Sequence, residues 1–257
     1  MISLYKRLFA TYLFIGVLCL IGGAVFLKNH PVGFFVYLIT LIVILCITIN
    51  ILHNASKKKF KEEVLTHLEN CRAGIFIEEL TKLMGKKRGR QISSFYASLC
   101  ATGYDVLGDY DALYASCQNI KLKSHMPLYH RRMFSYYLSR GELDFAKDAL
   151  NALSALAAKE KIPAEKKVIV QFVEECKRAI QVRSGEYDEP LKYYREMLNS
   201  TEESTLVSRV SYAHAYGEAL FRKGDKEAAK EPLTFASSRG GDTKYKRQAD
   251  KLLAEIG

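Results

Sequence analysis

No aspartate or glutamate occurs before Glu62. The first 61 residues carry seven cations (Lys6, Arg7, Lys28, Lys57, Lys58, Lys59 and Lys61) with no acid to oppose them. The chain's net charge is +10, so most of the surplus lies in its first quarter. A single uniform globular domain is excluded, because such asymmetry points to a membrane or to nucleic acid. Beyond residue 90 there are 25 basic and 23 acidic residues. That balance indicates no basic face, and nucleic acid is not an expected partner. Tryptophan is absent and proline occurs only five times in 257 residues, which leaves room for long uninterrupted helices.

The motifs of common chemistries are also missing. There is no CxxC, HExxH, GxSxG or GxGxxG. Gly103 and Gly108 have the spacing that opens a phosphate-binding loop, but Asp109-Tyr110 follows where Lys-Ser/Thr is needed to hold a phosphate. The histidines at 30, 53, 67, 125, 130 and 214 have no paired metal spacing. The six cysteines, 19, 46, 71, 100, 117 and 176, suit reduced thiols rather than a disulfide framework at this chain length. No cofactor, metal or catalytic residue is expected. The acid pairs Glu62-Glu63 and Glu78-Glu79 read as solvated i,i+4 partners of nearby lysines.

Two stretches lack charge altogether: Leu8 to Leu27 and Val32 to Leu52. Twenty residues of helix at ~1.5 Å each span ~30 Å, the thickness of a hydrocarbon core. Only Lys28, Asn29, His30 and Pro31 separate them, so the two helices must run antiparallel, as a hairpin covering 1–55. A signal peptide is the alternative for the first stretch. It is longer than the ~7–15 residues of an h-region, and no clear small-x-small site precedes Lys28. Cations flank the outer ends and Lys28 alone marks the turn, which predicts both termini in the cytoplasm. Gly16, Gly22, Gly23 and Ala24 offer small surfaces for close helix approach.

Residues 56–90 form a basic juxtamembrane segment. Lys57, Lys58, Lys59 and Lys61, then Lys86, Lys87, Arg88 and Arg90, are candidate contacts with an anionic lipid surface, where each cation gains ~1 kcal/mol. An ordinary topology signal followed by a solvated loop accounts for the second cluster equally well.

From 56 onward apolar residues recur at helical spacing, as in Leu138, Phe145, Ala149, Leu150, Leu153 and Leu156, and an all-α fold is predicted. The punctuation repeats. Gly108-Asp109, Gly141-Glu142, Gly185-Glu186 and Gly224-Asp225 each end one helical run and open another, at intervals of 33, 44 and 39 residues. Periods of this size mean stacked helix pairs. The expected pairs are 91–106 with 109–122, 125–140 with 142–159, 163–183 with 186–199, and 203–222 with 225–238. Pro232 is expected to kink or shorten the last of these. An amphipathic helix at 242–256 would cap the C-terminal end, and 57–84 would cap the other.

These turns resemble the tetratricopeptide repeat family. Tyr110 and Tyr187 match its aromatic two positions after the glycine, and Ala146 and Ala229 match its small residue five after. Leu113, Pro190 and Lys226 depart from the pattern. Residues 215–225 are the best single match, with Gly217 at the small position. The resemblance implies an α-solenoid of about four helix pairs over 91–257, with a groove lined by the first helix of each pair. Carrying the family's groove positions over by register from each turn glycine gives Ser98, Thr102, Arg131, Ser135, Glu175, His214 and Glu218. The set lacks the Lys/Asn cluster with which the family grips a terminal carboxylate. The alternative is that these are ordinary exposed helix positions. Tyr136, Tyr193 and Tyr194 are the tyrosines expected to reach the surface.

The function expected is a membrane-anchored adaptor or scaffold binding a protein or peptide. The alternatives are a structural subunit of a larger membrane complex, joined through the hairpin, and an enzyme with an unrecognised site.

Overall fold

The structure is a computed structural model that describes residues 16, 17, 19, 21–23, 31–84, 90–200 and 205–257. All regular structure among them is helical. The chain divides into two compact units, Met1–Leu65 and Thr66–Gly257.

In the first unit, α1 runs over Pro31–Phe60 and passes into a π-turn at Lys61–Leu65. Pro31 opens the helix, where its missing N–H costs nothing. Among the described residues one helix, rather than the two expected, is long and apolar enough to cross a membrane; its most apolar window begins in α1 and has none of its residues buried. Most of the predicted 8–27 span lies outside the described residues. Those described, Gly16, Val17, Cys19 and Ile21 to Gly23, are helical. Tyr37 of α1 donates its hydroxyl to the Cys19 carbonyl at 2.8 Å, and its ring covers Gly23 so closely that a Cβ there would overlap it. Lys57, Lys58, Lys59 and Lys61 are exposed. Lys58 and Lys59 pair with Glu62 and Glu63 one turn on, at 3.9 and 3.4 Å. Lys86, Lys87 and Arg88 lie outside the described residues, as does the side chain of Arg90.

The second unit opens with α2 (Thr66–Glu69) and α3 (Ala73–Met84). Four pairs follow: α4 (Arg90–Leu107) with α5 (Tyr110–Cys117), α6 (Met126–Ser139) with α7 (Leu143–Lys159), α8 (Pro163–Arg183) with α9 (Asp188–Asn199), and α10 (Leu206–Lys223) with α11 (Lys226–Arg239). A last helix, α12, spans Lys244–Ile256. Pro232 does not end α11, which runs through it to Arg239.

The turns explain the pairing. Gly108, Gly141, Gly185 and Gly224 have φ of 76°, 75°, 84° and 96°, a left-handed conformation that glycine adopts without steric cost. In each turn the next residue's N–H closes on a carbonyl of the finished helix: Asp109 on Tyr104, Glu142 on Tyr137, Glu186 on Gln181 and Asp225 on Leu220, at 2.9–3.0 Å. Asp109 and Asp225 then cap the next helix by accepting from Ala112 and Ala228. Five positions after each glycine stand Leu113, Ala146, Pro190 and Ala229, all fully buried although only two match the expected small residue.

The core is a chain of small clusters, each sealing a pair against the first helix of the next. Ala97, Ala101, Leu113, Cys117 and Met133 join α4, α5 and α6. Phe134, Ala146, Ala149 and Cys176 join α6, α7 and α8. Val182, Tyr194, Tyr212 and Ala219 join α8, α9 and α10. The last cluster unites Val210, Leu220, Leu233 and Ala249 of α10, α11 and α12 with Cys71, which lies ahead of the first pair.

That membership marks a closure. The sequence reading sets 57–84 and 242–256 at opposite ends, but the structure brings Cys71–Gly74 and Asp242 together. The Asp242 carboxylate accepts from the Ala73 and Gly74 amides at 2.7 and 2.8 Å, capping α3, and its own N–H donates to the Cys71 carbonyl at 3.1 Å. Gly241 can lie there only without a side chain: its φ is 56°, and a Cβ would overlap the Cys71 carbonyl oxygen. Further along, Arg247 donates to the Leu107 carbonyl.

Candidate functional site

Side chains three and four apart share one helix face. Arg131, Ser135 and Leu138 of α6 do so, as do Glu175, Ala179 and Arg183 of α8, and Ser211, His214, Ala215 and Glu218 of α10. With Asp105 of α4 and Lys244, Tyr245 and Gln248 of α12, these faces line one open cavity of about 260 Å³. Tyr110, Tyr194 and Tyr212 add aromatic wall. Five of the seven groove candidates, Arg131, Ser135, Glu175, His214 and Glu218, therefore meet around one space. Ser98 and Thr102 do not line it. The buried Ser98 hydroxyl bonds the Phe95 carbonyl at 2.7 Å, and Thr102 bonds the Ser98 carbonyl at 3.0 Å, so both are spent on their own helix. Ser135 and His214 are buried rather than ordinary exposed positions. Tyr194 is also buried, against the expectation of a surface contact.

Asp105 is the most enclosed charge, its side chain only 2% exposed. One oxygen accepts from Lys244 Nζ at 2.6 Å and from Ser135 Oγ at 2.5 Å, and Arg132 binds the other. Burial alone would raise the Asp105 pKa, but Lys244, Arg132 and Arg131 outweigh it and hold the carboxyl well below the usual range. Lys244 shows the reverse. Burial would lower it, and Asp105 holds it above its ordinary value. Lys244 also lies 3.2 Å from Ser135 Oγ and 5.5 Å from the centroids of the Tyr110 and Tyr245 rings. A lysine that activates serine must give up its proton; this one is held charged, so the triad offers Ser135 no base.

Glu175 accepts from Tyr212 at 2.7 Å and from Gln171 and Arg131 at 3.3 Å. Burial, then Glu175, push the Tyr212 hydroxyl well above its ordinary pKa. Glu218 accepts from Arg222 Nε at 2.8 Å and stands 3.7 Å from Arg183. Its pKa is lowered: burial works upward, but His214, Arg183 and Arg222 together pull it down. His214 is 6% exposed, and its Nε2 has no hydrogen-bond partner. Burial pushes its pKa down to about 4, helped by Lys244 and Arg183 and opposed by Glu218. Among the described residues no group of three or more His, Cys, Asp or Glu is arranged to hold a metal ion.

Sequence reasoning missed Asp105, Arg183, Tyr212, Lys244 and Tyr245. Asp105 left a signal, as a lone acid between Tyr104 and Val106-Leu107 on an apolar helix end. Lys244 left none, because it meets Asp105 across 139 residues of chain. No protein-family model, no curated protein and no solved structure matches this chain.

Proposed function

We propose that the protein is a membrane-anchored adaptor. Two antiparallel helices, 8–27 and 32–52, hold the Thr66–Gly257 unit at the bilayer, and that unit, a tetratricopeptide-like stack of four pairs, binds a protein partner. The observation that carries this reading is α1, an apolar helix with no buried residue in its spanning window. Such a surface is stable only in lipid or against another apolar partner. The Tyr37 contacts with Cys19 and Gly23 support a second helix beside it. The stack is supported by four equivalent glycine turns and by cores that each link one pair to the next. Tethering raises the effective concentration of partners in the same membrane without any new contact.

Deleting residues 1–55 should release a soluble, predominantly helical protein, read by circular dichroism. An unfolded or aggregating fragment counts against the anchor-plus-domain reading. Photo-crosslinking from the Thr66–Gly257 unit in the native membrane should capture a protein. If crosslinks appear only from the hairpin, the protein is instead a structural subunit held through its spans. The flanking cations support a cytoplasmic domain. Cys71, Cys100, Cys117 and Cys176 are buried and cannot report orientation. A cysteine at exposed Lys161 can: labelling of Lys161→Cys by an impermeant reagent in intact cells would place the domain outside.

A further inference from the structure

The cavity's carboxylates are well used, while three of its nitrogen-bearing side chains are weakly partnered. Asp105 serves three donors, Glu175 three, and Glu218 is bonded by Arg222. Arg131 makes a single 3.3 Å hydrogen bond, and Arg183 makes only the 3.7 Å ion pair with Glu218. His214 Nε2 has no partner at all. Guanidinium groups can only donate, so two of them with a single long contact each favour a ligand that brings acceptor atoms.

We propose that the cavity binds a small organic acid with two separated carboxylates, taken by the guanidinium groups of Arg131 and Arg183 with His214 Nε2 as a further polar contact. Guanidinium forks match carboxylates with two parallel hydrogen bonds. Arg131 on α6 is paired with Glu175 and Arg183 on α8 with Glu218, so each cation already stands beside a carboxylate of its own. A compact dianion such as phosphate would concentrate its charge beside carboxylates already there. An acid with its charges spread puts each beside its own cation.

The cavity, about 260 Å³, has ample room for an acid of about four to six carbons. The inference extends the adaptor reading without depending on it.

The test is isothermal titration calorimetry on the full chain in detergent micelles at low salt. Probes are succinate, glutarate and citrate, with inorganic phosphate and putrescine as controls. One-to-one binding of at least one of the three acids is expected, tighter than either control. Arg183→Gln should weaken it about tenfold or more. Arg183 is 39% exposed with only a long ion pair, so the variant should fold, and an unchanged melting temperature checks that. His214→Gln provides a second variant, expected to weaken binding with a smaller change. No saturable binding up to about 10 mM overturns the proposal. So does a control bound as tightly as any acid, or an affinity left unchanged by both variants. Loss of partner crosslinks while acid binding persists would sink the adaptor reading alone.

Discussion

Lys244→Met removes the ammonium that ties the last helix to the first pair while keeping most of its aliphatic length. The Lys244 and Asp105 side chains are 13% and 2% exposed, so water replaces little of what is lost. Breaking a buried ion pair by deleting one partner costs about 3–5 kcal/mol, because the other charge stays behind uncompensated. Asp105 keeps Arg132 and Ser135, which argues for the lower end, about 3 kcal/mol. For a domain of this size ~1 kcal/mol moves the melting temperature by ~2–4 °C, so a fall of about 6–12 °C is expected. Thermal melts followed by far-ultraviolet circular dichroism on the full chain in mild detergent measure it. Asp105→Asn supplies the control: the double variant should lose at least ~1 kcal/mol less than the two single losses added together. A melting temperature within ~2 °C of the parent, or strictly additive losses, would refute the claim that this pair holds the closure.

His214 predicts a pH dependence. Its pKa is about 4 in the folded state against 6.5 ordinarily, so the unfolded chain takes up a proton first as pH falls. The stabilisation is complete above pH 6.5 and is lost between there and about 4, by about 3 kcal/mol. His214→Gln should remove most of that slope in urea titrations at several pH values, and an unaltered slope counts against a buried neutral imidazole. Gly141 and Gly241 predict a contrast. Both have positive φ, but a Cβ at Gly141 meets open space and one at Gly241 meets the Cys71 carbonyl. Gly141→Ala should cost about 1 kcal/mol and Gly241→Ala at least about 2–3, and equal losses would contradict the packing at the closure. Burial pushes the Cys71, Cys100 and Cys176 thiols up to about 11 and Cys117 up to about 12. A polar thiol reagent at about pH 7 should leave these four unmodified until denaturant is added, and rapid reaction of any one would show that its cluster opens.

Local chemistry was legible in the sequence and distant chemistry was not. A glycine followed by an acid is a two-residue signal, and all four such turns have the backbone conformation that glycine permits. Pro163 begins α8 and Pro190 lies in the first turn of α9, as their missing N–H groups require. Glu62, Glu63, Glu78 and Glu79 pair with lysines three or four residues away, which the helical period fixes. Register from the turn glycines brought five candidates to one cavity. It failed on α4, where Ser98 and Thr102 turn into their own helix while Asp105, one or two turns further on, faces inward. Pro232 does not shorten α11, and Leu233 and Ala236 beside it are fully buried. The closure was invisible for a different reason. Asp242 caps α3 across 169 residues, and neither segment carries any local mark of the other.

The closure also sets a clock on folding. In an open stack each unit rests on its neighbour alone and settles as soon as that neighbour is made. Here Asp105 is made 139 residues before Lys244. At synthesis rates of ~5–20 residues per second, it waits about 7–28 s for the cation that completes its burial. Over that interval the first pair must stay loosely packed or keep its carboxylate wet, with Cys71 and the start of α3 still uncapped. The span around α1 is made well before then, so the nascent domain waits while its anchor is already available to the membrane.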